Sequence, residues 1–303
     1  MPAIDVVSSL ASKVVKHMLK LGSNPRYSAR HQTGLVAGSQ HQVADVLRLS
    51  ASPPVNLLLP VSHGQGRQVA STLDGYSATH LATANVLQRL LGVDSLAEGR
   101  AAAAELPLPL TPSMAECANW DRLLVLDGVS DPGNVGALLR SALGLGWDGV
   151  LMTQGCASVA NPKVFRSSGG LGAWALPYRG SMPWAGEDGI AAILQKGNFV
   201  PLVADASPIP IDAWLAQARS EQRHRALARS VGVFDNQPLG KKVQGPRIAL
   251  VLGSEGSGVS EDARALHGAE VVGLQLAGNL ESLGVAQAGP ILLHRLDKCC
   301  CEP

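Results

Sequence analysis

Apolar and polar positions change their period several times along the chain. From Val6 to Leu21 apolar and basic residues recur at helical spacing, which predicts an amphipathic helix that Ser23, Asn24 and Pro25 then break. Thr33 to Ala37 reads as a short strand, His41 to Leu49 as a helix, and Val55 to Val61, after Pro53 and Pro54, as a buried strand. Thr79 to Leu91 returns to a helical period, so a small alternating α/β unit runs to about residue 100. Ala101 to Ala118 opens with four alanines, becomes rich in proline (Pro107, Pro109, Pro112) and reads as a connector.

A second series follows. Leu123 to Leu126 is a strand, a glycine turn leads into a helix at Val135 to Leu143, and Gly149 to Met152 is the next strand. Strands at Val200 to Ala204, Ile248 to Leu252 and Val271 to Leu276, then a helix at Gly284 to Leu296, complete it. Strands alternating with helices predict a mostly parallel sheet covered on both faces. The chain therefore divides into a smaller α/β domain at 1–105, a linker at 106–120 and a larger α/β domain at 121–303.

Composition refines this reading. A length of 303 residues suits about two domains. With 46% hydrophobic and 16% charged residues the chain is globular, and with only 4% aromatics its core must rest on Leu, Val, Ile and Ala. The net charge of +1 does not advertise a nucleic-acid partner, so affinity for one must come from a local patch. The densest basic cluster is Arg219 to Arg225 with Arg229, in a predicted helix from Ile211 to Arg229. A solvated helix face is the simpler reading of it, and a phosphate-backbone contact the sharper one. The cysteines (Cys117, Cys156, Cys299, Cys300, Cys301) contain no Cys-x-x-Cys pair, which argues against a zinc site and for a reducing compartment. The histidines show no metal spacing, and no metal is expected. No apolar run reaches the roughly 18 residues of a membrane span, and Met1 to Leu21 lacks a signal-peptide core. Cytoplasm, mitochondrion and chloroplast all stay open.

Three glycine-bearing segments carry candidate chemistry. Asp131 to Arg140 (DPGNVGALLR) follows a strand and opens a helix, with Asn134 placed to cap it. Leu252 to Gly258 (LGSEGSG) lies at the carboxyl end of an apolar strand, where open α/β sheets bind ligands and where glycine lets a ligand approach the backbone. It puts the carboxylate of Glu255 on that rim. Leu274 to Val285 (LQLAGNLESLGV) runs from a strand through a polar loop into a helix, which Asn279, Glu281 or Ser282 is suited to cap. Gly144 to Gly149 also fits Gly-x-Gly-x-x-Gly, yet it follows a helix and precedes a strand, the reverse of a dinucleotide fingerprint. Neither a phosphate-binding Gly-x-x-x-x-Gly-Lys loop nor a Gly-x-Ser-x-Gly elbow is present.

Together the three segments resemble the SpoU branch of the SPOUT RNA methyltransferases, in order and spacing, over residues 121–297. Asn161 to Gly169, with Leu176 and Pro177, is similar to the family's link between its second and third strands. Asn24 to Leu47 is more loosely similar to its ribosomal-protein-like substrate-binding domain. The resemblance implies a parallel-sheet α/β SPOUT domain with a C-terminal trefoil knot, a homodimer, and S-adenosylmethionine held where the loops near residues 131, 253 and 280 converge. It places cofactor contacts at Gly253, Gly256, Leu274, Leu276 and Leu283, with Thr153 and Gln154 after the second strand. Asn134, Arg140, Glu255 and Ser282 match its catalytic positions.

The implied activity is 2′-O-methylation of a ribose in ribosomal or transfer RNA. The 2′-hydroxyl attacks poorly until its proton is accepted. The family's usual candidate base is Arg140, although a guanidinium with a pKa above about 12 is costly to neutralise, so anchoring a phosphate is the alternative role. Glu255 is then suited to orient Arg140 through a bidentate pair. The third motif departs from the family pattern, with Gly284 and Ala286 where Asn and Ser are usual. This keeps a catalytically silent RNA-binding relative as the second reading.

Overall fold

The computed structural model describes residues 5–50, 52–61, 72–73, 75–77, 79–95, 101–205, 209–230, 246–277 and 282–301. They form two compact units. The first holds residues 1–111 with Asp131–Arg140 and Ala157–Pro177, and the second holds the rest of the chain.

The first unit is built from β1 (Asp5–Val7), α1 (Lys13–Ser23), α2 (Pro25–His31), β2 (Thr33–Ser39), α3 (Gln40–Leu49), β3 (Asn56–Pro60), β4 (Thr72–Leu73), β5 (Tyr76–Ser77), β6 (His80–Ala82), α4 (Ala84–Leu91) and β7 (Ala101–Pro107). Five strands pair in the order β1-β6-β3-β7-β2, parallel at β1-β6 and β6-β3, antiparallel on both sides of β7. The single helix expected over 6–21 is instead a strand followed by a helix that starts at Lys13. Asn24 ends that helix and caps the next, accepting from Tyr27 N at 3.1 Å, with Pro25 in the first turn. Ser39 and Gln42 form a capping box on α3. The helical period expected over 79–91 likewise splits, into β6 and α4.

Ala101 to Pro107 is not connector but the strand second from the edge of this sheet, paired over seven residues with β2. Its alternation is real but muted. Ala101 and Ala103 pack with α1 and α4, whereas Ala102, Ala104 and Leu106 pack with Val43, Val46 and Leu47 of α3. Four identical small side chains conceal the period from a sequence reading, yet they let helices lie close on both faces.

Glu105 is buried in this strand and fully hydrogen-bonded. It accepts from His17 Nε2 (2.9 Å), Thr33 Oγ1 (2.8 Å) and Asn56 Nδ2 (2.6 Å). With Nε2 donating to Glu105, His17 Nδ1 accepts from the Tyr27 hydroxyl at 3.0 Å. Burial pushes the Glu105 carboxyl up, but the hydrogen bonds from His17, Asn56 and Thr33 together hold it below the ordinary range.

The remaining elements are α5 (Met114–Ala118), β8 (Arg122–Asp127), α6 (Pro132–Gly144), β9 (Gly149–Thr153), α7 (Pro162–Ser167), α8 (Gly172–Ala175), β10 (Tyr178–Met182), α9 (Ile190–Lys196), β11 (Phe199–Ala204), α10 (Ile211–Ser230), β12 (Arg247–Gly253), α11 (Glu261–Arg264), β13 (Glu270–Val272) and α12 (Val285–Cys301). The second unit centres on a six-stranded sheet in the order β10-β9-β8-β12-β11-β13, every pair parallel, as the strand–helix alternation predicts. Leu123, Val125, Leu151, Val203, Ala249 and Val251 turn toward α5 and α9 on one face. On β12 packs α12, with Leu292, Leu293 and Leu296 buried and Asp297 paired with Arg122 at the start of β8. The glycines of the false dinucleotide match close α6. Gly146, at φ +68°, and Trp147 donate to Leu143 O and Ala142 O, the bond pair of a Schellman cap.

Candidate active site

The parallel sheet ends in a cavity of about 250 Å³. Its floor is the carboxyl ends of three neighbouring strands, at Ala204 (β11), Leu252 and Gly253 (β12) and Val272 (β13). One wall is the start of α12 (Val285, Ala288, Leu292), and another is the chain leaving β13 (Leu274, Leu276) and returning at Ser282 and Leu283. This is where an open parallel sheet leaves a crevice.

The local fold explains how the loop after β12 forms a wall. Ser254 and Gly258 exchange backbone hydrogen bonds of 2.9 and 3.0 Å, turning the loop back on its own root. An added Cβ on Gly253 would overlap the Gly258 carbonyl, and Gly258 itself sits at φ +67°. The glycine at 253 therefore serves the chain's own close approach, in addition to opening the wall to a ligand.

The root of the loop is tied down by Asp127, the buried last residue of β8, which pairs in register with Gly253. Asp127 accepts from Ser260 N (2.6 Å), Trp184 Nε1 (3.1 Å) and Thr153 Oγ1 (3.2 Å), while Gly128 N donates to that same threonine oxygen at 2.9 Å. A carboxylate receiving three donors is a fixed post. The sequence reading missed it because its acidic residue follows an apolar strand without any motif.

The predicted residues fall into groups. Gly253, Leu274, Leu276 and Leu283 line the cavity, as do Glu255 and Ser282. Gly256 does not line it, and an added Cβ there would meet open space. Thr153 is buried and engaged with Asp127, away from the lining, and Gln154 is exposed. Asn279 and Glu281 lie outside the described residues. Asn134 and Arg140 belong to the part of α6 assigned to the first unit. There the helix is capped by Asp131, not by Asn134. The Asp131 carboxylate accepts from Asn134 N at 3.0 Å and pairs with Lys163 Nζ at 3.2 Å, contacts that hold its carboxyl below the usual range. Gly136 allows α6 and α7 to meet, since a Cβ there would collide with Ser167 Oγ and the Val164 carbonyl. Arg140 is exposed and lies over Gly169, its Nη1 2.7 Å from where a Cβ would stand.

Position 284 shows what the altered third motif does. A Cβ on Gly284 would stand 2.6 Å from Gln287 Oε1 and 2.8 Å from Glu255 Oε1. The space a side chain would take at 284 is held by the ends of Gln287 and Glu255. No motif pointed to Gln287, whose side-chain end lies beside Gly284 without lining the cavity.

The cavity's electrostatics are one-sided. Asp205 and Glu255 supply carboxylates, Ser254 and Ser282 supply hydroxyls, and among the described residues no Lys or Arg lines it. Asp205 pairs with Arg264, outside the lining. Apolar walls with two acids suit a small neutral or cationic ligand and disfavour a pyrophosphate, which asks for cations or a helix N-terminus.

A parallel α/β sheet with a cavity at its carboxyl edge, walled by the helix α12, defines the class: an α/β domain with a ligand-sized crevice at the ends of its strands. This chain matches the model of the SpoU rRNA Methylase family over residues 121–179. It is 28% identical over 177 residues to a 23S rRNA (guanosine(2553)-2′-O)-methyltransferase of Bacillus subtilis, covering 58% of this chain and 57% of that one. It is 45% identical over 86 residues to the mitochondrial rRNA methyltransferase 3 of Xenopus tropicalis, covering 28% and 20%. The chain thus spans less than two thirds of the length of these relatives. The crystal structure of the SpoU methyltransferase AviRb from Streptomyces viridochromogenes in complex with AdoMet superposes with a TM-score of 0.66 at 19% identity, covering 95% of this chain and 98% of that one. The two share their fold.

Proposed function

We propose that this chain transfers a methyl group from S-adenosylmethionine to a ribose 2′-hydroxyl of ribosomal RNA. The observation that carries the reading is the acid-bearing cavity at the carboxyl ends of β11, β12 and β13, which no Lys or Arg lines among the described residues. When bound, S-adenosylmethionine supplies an electrophilic methyl on a sulfonium, and a positive charge is what such a cavity accommodates. Gly253, Leu274, Leu276 and Leu283 hold the donor by backbone approach and apolar contact, and Glu255 and Ser282 orient groups at the cavity edge.

The chain's further task is to align a hydroxyl and dispose of its proton. Arg140 and Asn134 take that role by their match to the family's first motif. Arg140 either accepts the proton or, retaining its charge, fixes the phosphate beside the reacting ribose. The second course asks less of a guanidinium. The reading includes a homodimer, a C-terminal trefoil knot, RNA recognition by residues 1–105 and a methyltransferase domain at 121–303. The path of the chain supports the knot: β13 lies at the sheet edge beyond β11, and α12 then returns to β12. Names of the relatives favour ribosomal over transfer RNA.

Arg140→Ala tests the reading. It is expected to lower methyl transfer into ribosomal RNA by about 10²- to 10⁴-fold, the range for a lost proton-transfer group, with S-adenosylmethionine affinity by isothermal titration unchanged. Normal turnover in the variant contradicts the assignment. Gly284 favours the second reading, a silent RNA-binding relative, because it removes an amide at that motif position. Donor binding without any methyl incorporation by the wild-type chain is the result that selects it.

A further inference from the structure

We infer that the exposed face of α1 and α2 is the RNA-docking surface of the first unit, holding a run of backbone phosphates. This rests on the methyltransferase reading for the identity of the partner. Its own evidence is charge. No acidic residue occurs between Asp5 and Asp45, while Lys13, Lys16, Lys20, Arg26 and Arg30 fall within that stretch. The whole chain carries only +1, so the remainder is net negative and this segment stands out against it.

The structure gathers these charges on one side. Val15, Met18 and Leu21 turn the inner face of α1 into the core, which leaves Lys13, Lys16 and Lys20 exposed along a single helical row at i, i+3 and i+7. Arg26 and Arg30 are exposed on α2, which packs against α1. Ring contacts join the two helices. Lys20 Nζ lies 5.6 Å from the Tyr27 ring centre, Tyr27 lies 4.3 Å from His31, and His31 lies 5.1 Å from His17. Among the described residues none of the five cations forms a salt bridge with a carboxylate. Five unpaired cations on two packed helices form a field that phosphates, spaced along a nucleic-acid backbone, neutralise in a row.

The face is also held rigid. The Tyr27 hydroxyl donates to His17, and His17 donates to the buried Glu105, so the aromatic centre of the patch is tied to strand β7 of the sheet. A preformed cationic surface loses little entropy on docking. Sequence reading placed the densest basic cluster at Arg219 to Arg225 instead. That run contains Glu221, whereas the α1–α2 stretch has no acid at all; the side chains of 221–230 lie outside the described residues.

The test uses the full chain and a transcribed, unmodified 23S ribosomal RNA fragment as the probe, with affinity measured by fluorescence anisotropy over a salt series. K13E/K16E/K20E is expected to weaken binding at least tenfold near 0.1 M salt and to flatten the slope of log affinity against log salt by about 2.5, since each phosphate left without its cation takes roughly 0.7–0.9 from that slope. The milder K16Q/K20Q variant should shift the slope by about 1.5 on the same basis. Both should retain the wild-type melting temperature and S-adenosylmethionine affinity. Wild-type affinity and slope in the folded triple variant overturn the proposal and leave the methyltransferase reading standing. A wild-type chain that binds neither the RNA nor the methyl donor overturns both.

Discussion

At Gly253 and Gly256 the same residue type has opposite reasons to be there. A side chain at 253 would strike the Gly258 backbone, whereas 256 is open. Gly253→Ala is therefore expected to displace the loop, lowering S-adenosylmethionine affinity by tenfold or more in isothermal titration. Gly256→Ala should stay within about threefold of wild type, because nothing lies within 4 Å of its added methyl. Equal effects at both positions contradict the loop geometry. The motif assigns both glycines to the ligand; only a three-dimensional view separates a glycine that the chain needs from one that it does not.

Glu105 makes a prediction of a different kind. Its folded carboxyl titrates below the ordinary glutamate value of 4.5, so its ionised form stabilises the fold. That contribution is complete above about pH 4.5 and is lost as pH falls through the depressed folded value. Melting temperature measured from pH 6 to pH 3 should fall across that window in the wild type and fall less in Glu105→Gln. At neutral pH the variant should itself be less stable by about 1–3 kcal/mol, because an amide cannot accept from His17, Thr33 and Asn56 alike. Identical pH profiles would show that the buried network carries no charge-dependent stability. Sequence alone could not have found it, since His17, Thr33, Asn56 and Glu105 are far apart along the chain and meet only when β2, β3 and β7 pair.

Among the elements, legibility followed the strength of the period. Leu123 to Leu126 and Ile248 to Leu252 are continuous apolar runs, and each became a central parallel strand within one residue at either end. Such runs are what burial on both faces requires. The alanine strand at 101–107 was unreadable, because four small identical residues carry no contrast. The predicted strand at 271–276 stops at Val272, where the chain leaves the edge of the sheet and Leu274 and Leu276 turn to line the cavity. α12 is the element on which the site depends most. Val285, Ala288 and Leu292 form a cavity wall, while Leu293 and Leu296 fix the helix in place. Leu293→Ala should cost about 2–5 kcal/mol by chemical denaturation, the range for a fully buried leucine. A loss below about 0.5 kcal/mol would mean that the helix is not seated as described.

For the molecule as a whole, charge and chemistry are distributed unevenly. The first unit carries an acid-free cationic face on α1 and α2, and the second carries an acid-lined cavity with no cation in its wall among the described residues. This division fits one unit that attracts a polyanion and another that holds a cationic donor. It was invisible in the net charge of +1, which averages over both. The most direct measurement of the central claim is transfer of tritium-labelled methyl from S-adenosylmethionine into unmodified ribosomal RNA, followed by mapping of alkali-resistant linkages. The account predicts label at a ribose 2′-oxygen, with resistance at a discrete site and its disappearance in Arg140→Ala. Label on a base, or firm binding of the donor with no label on the RNA at all, contradicts it.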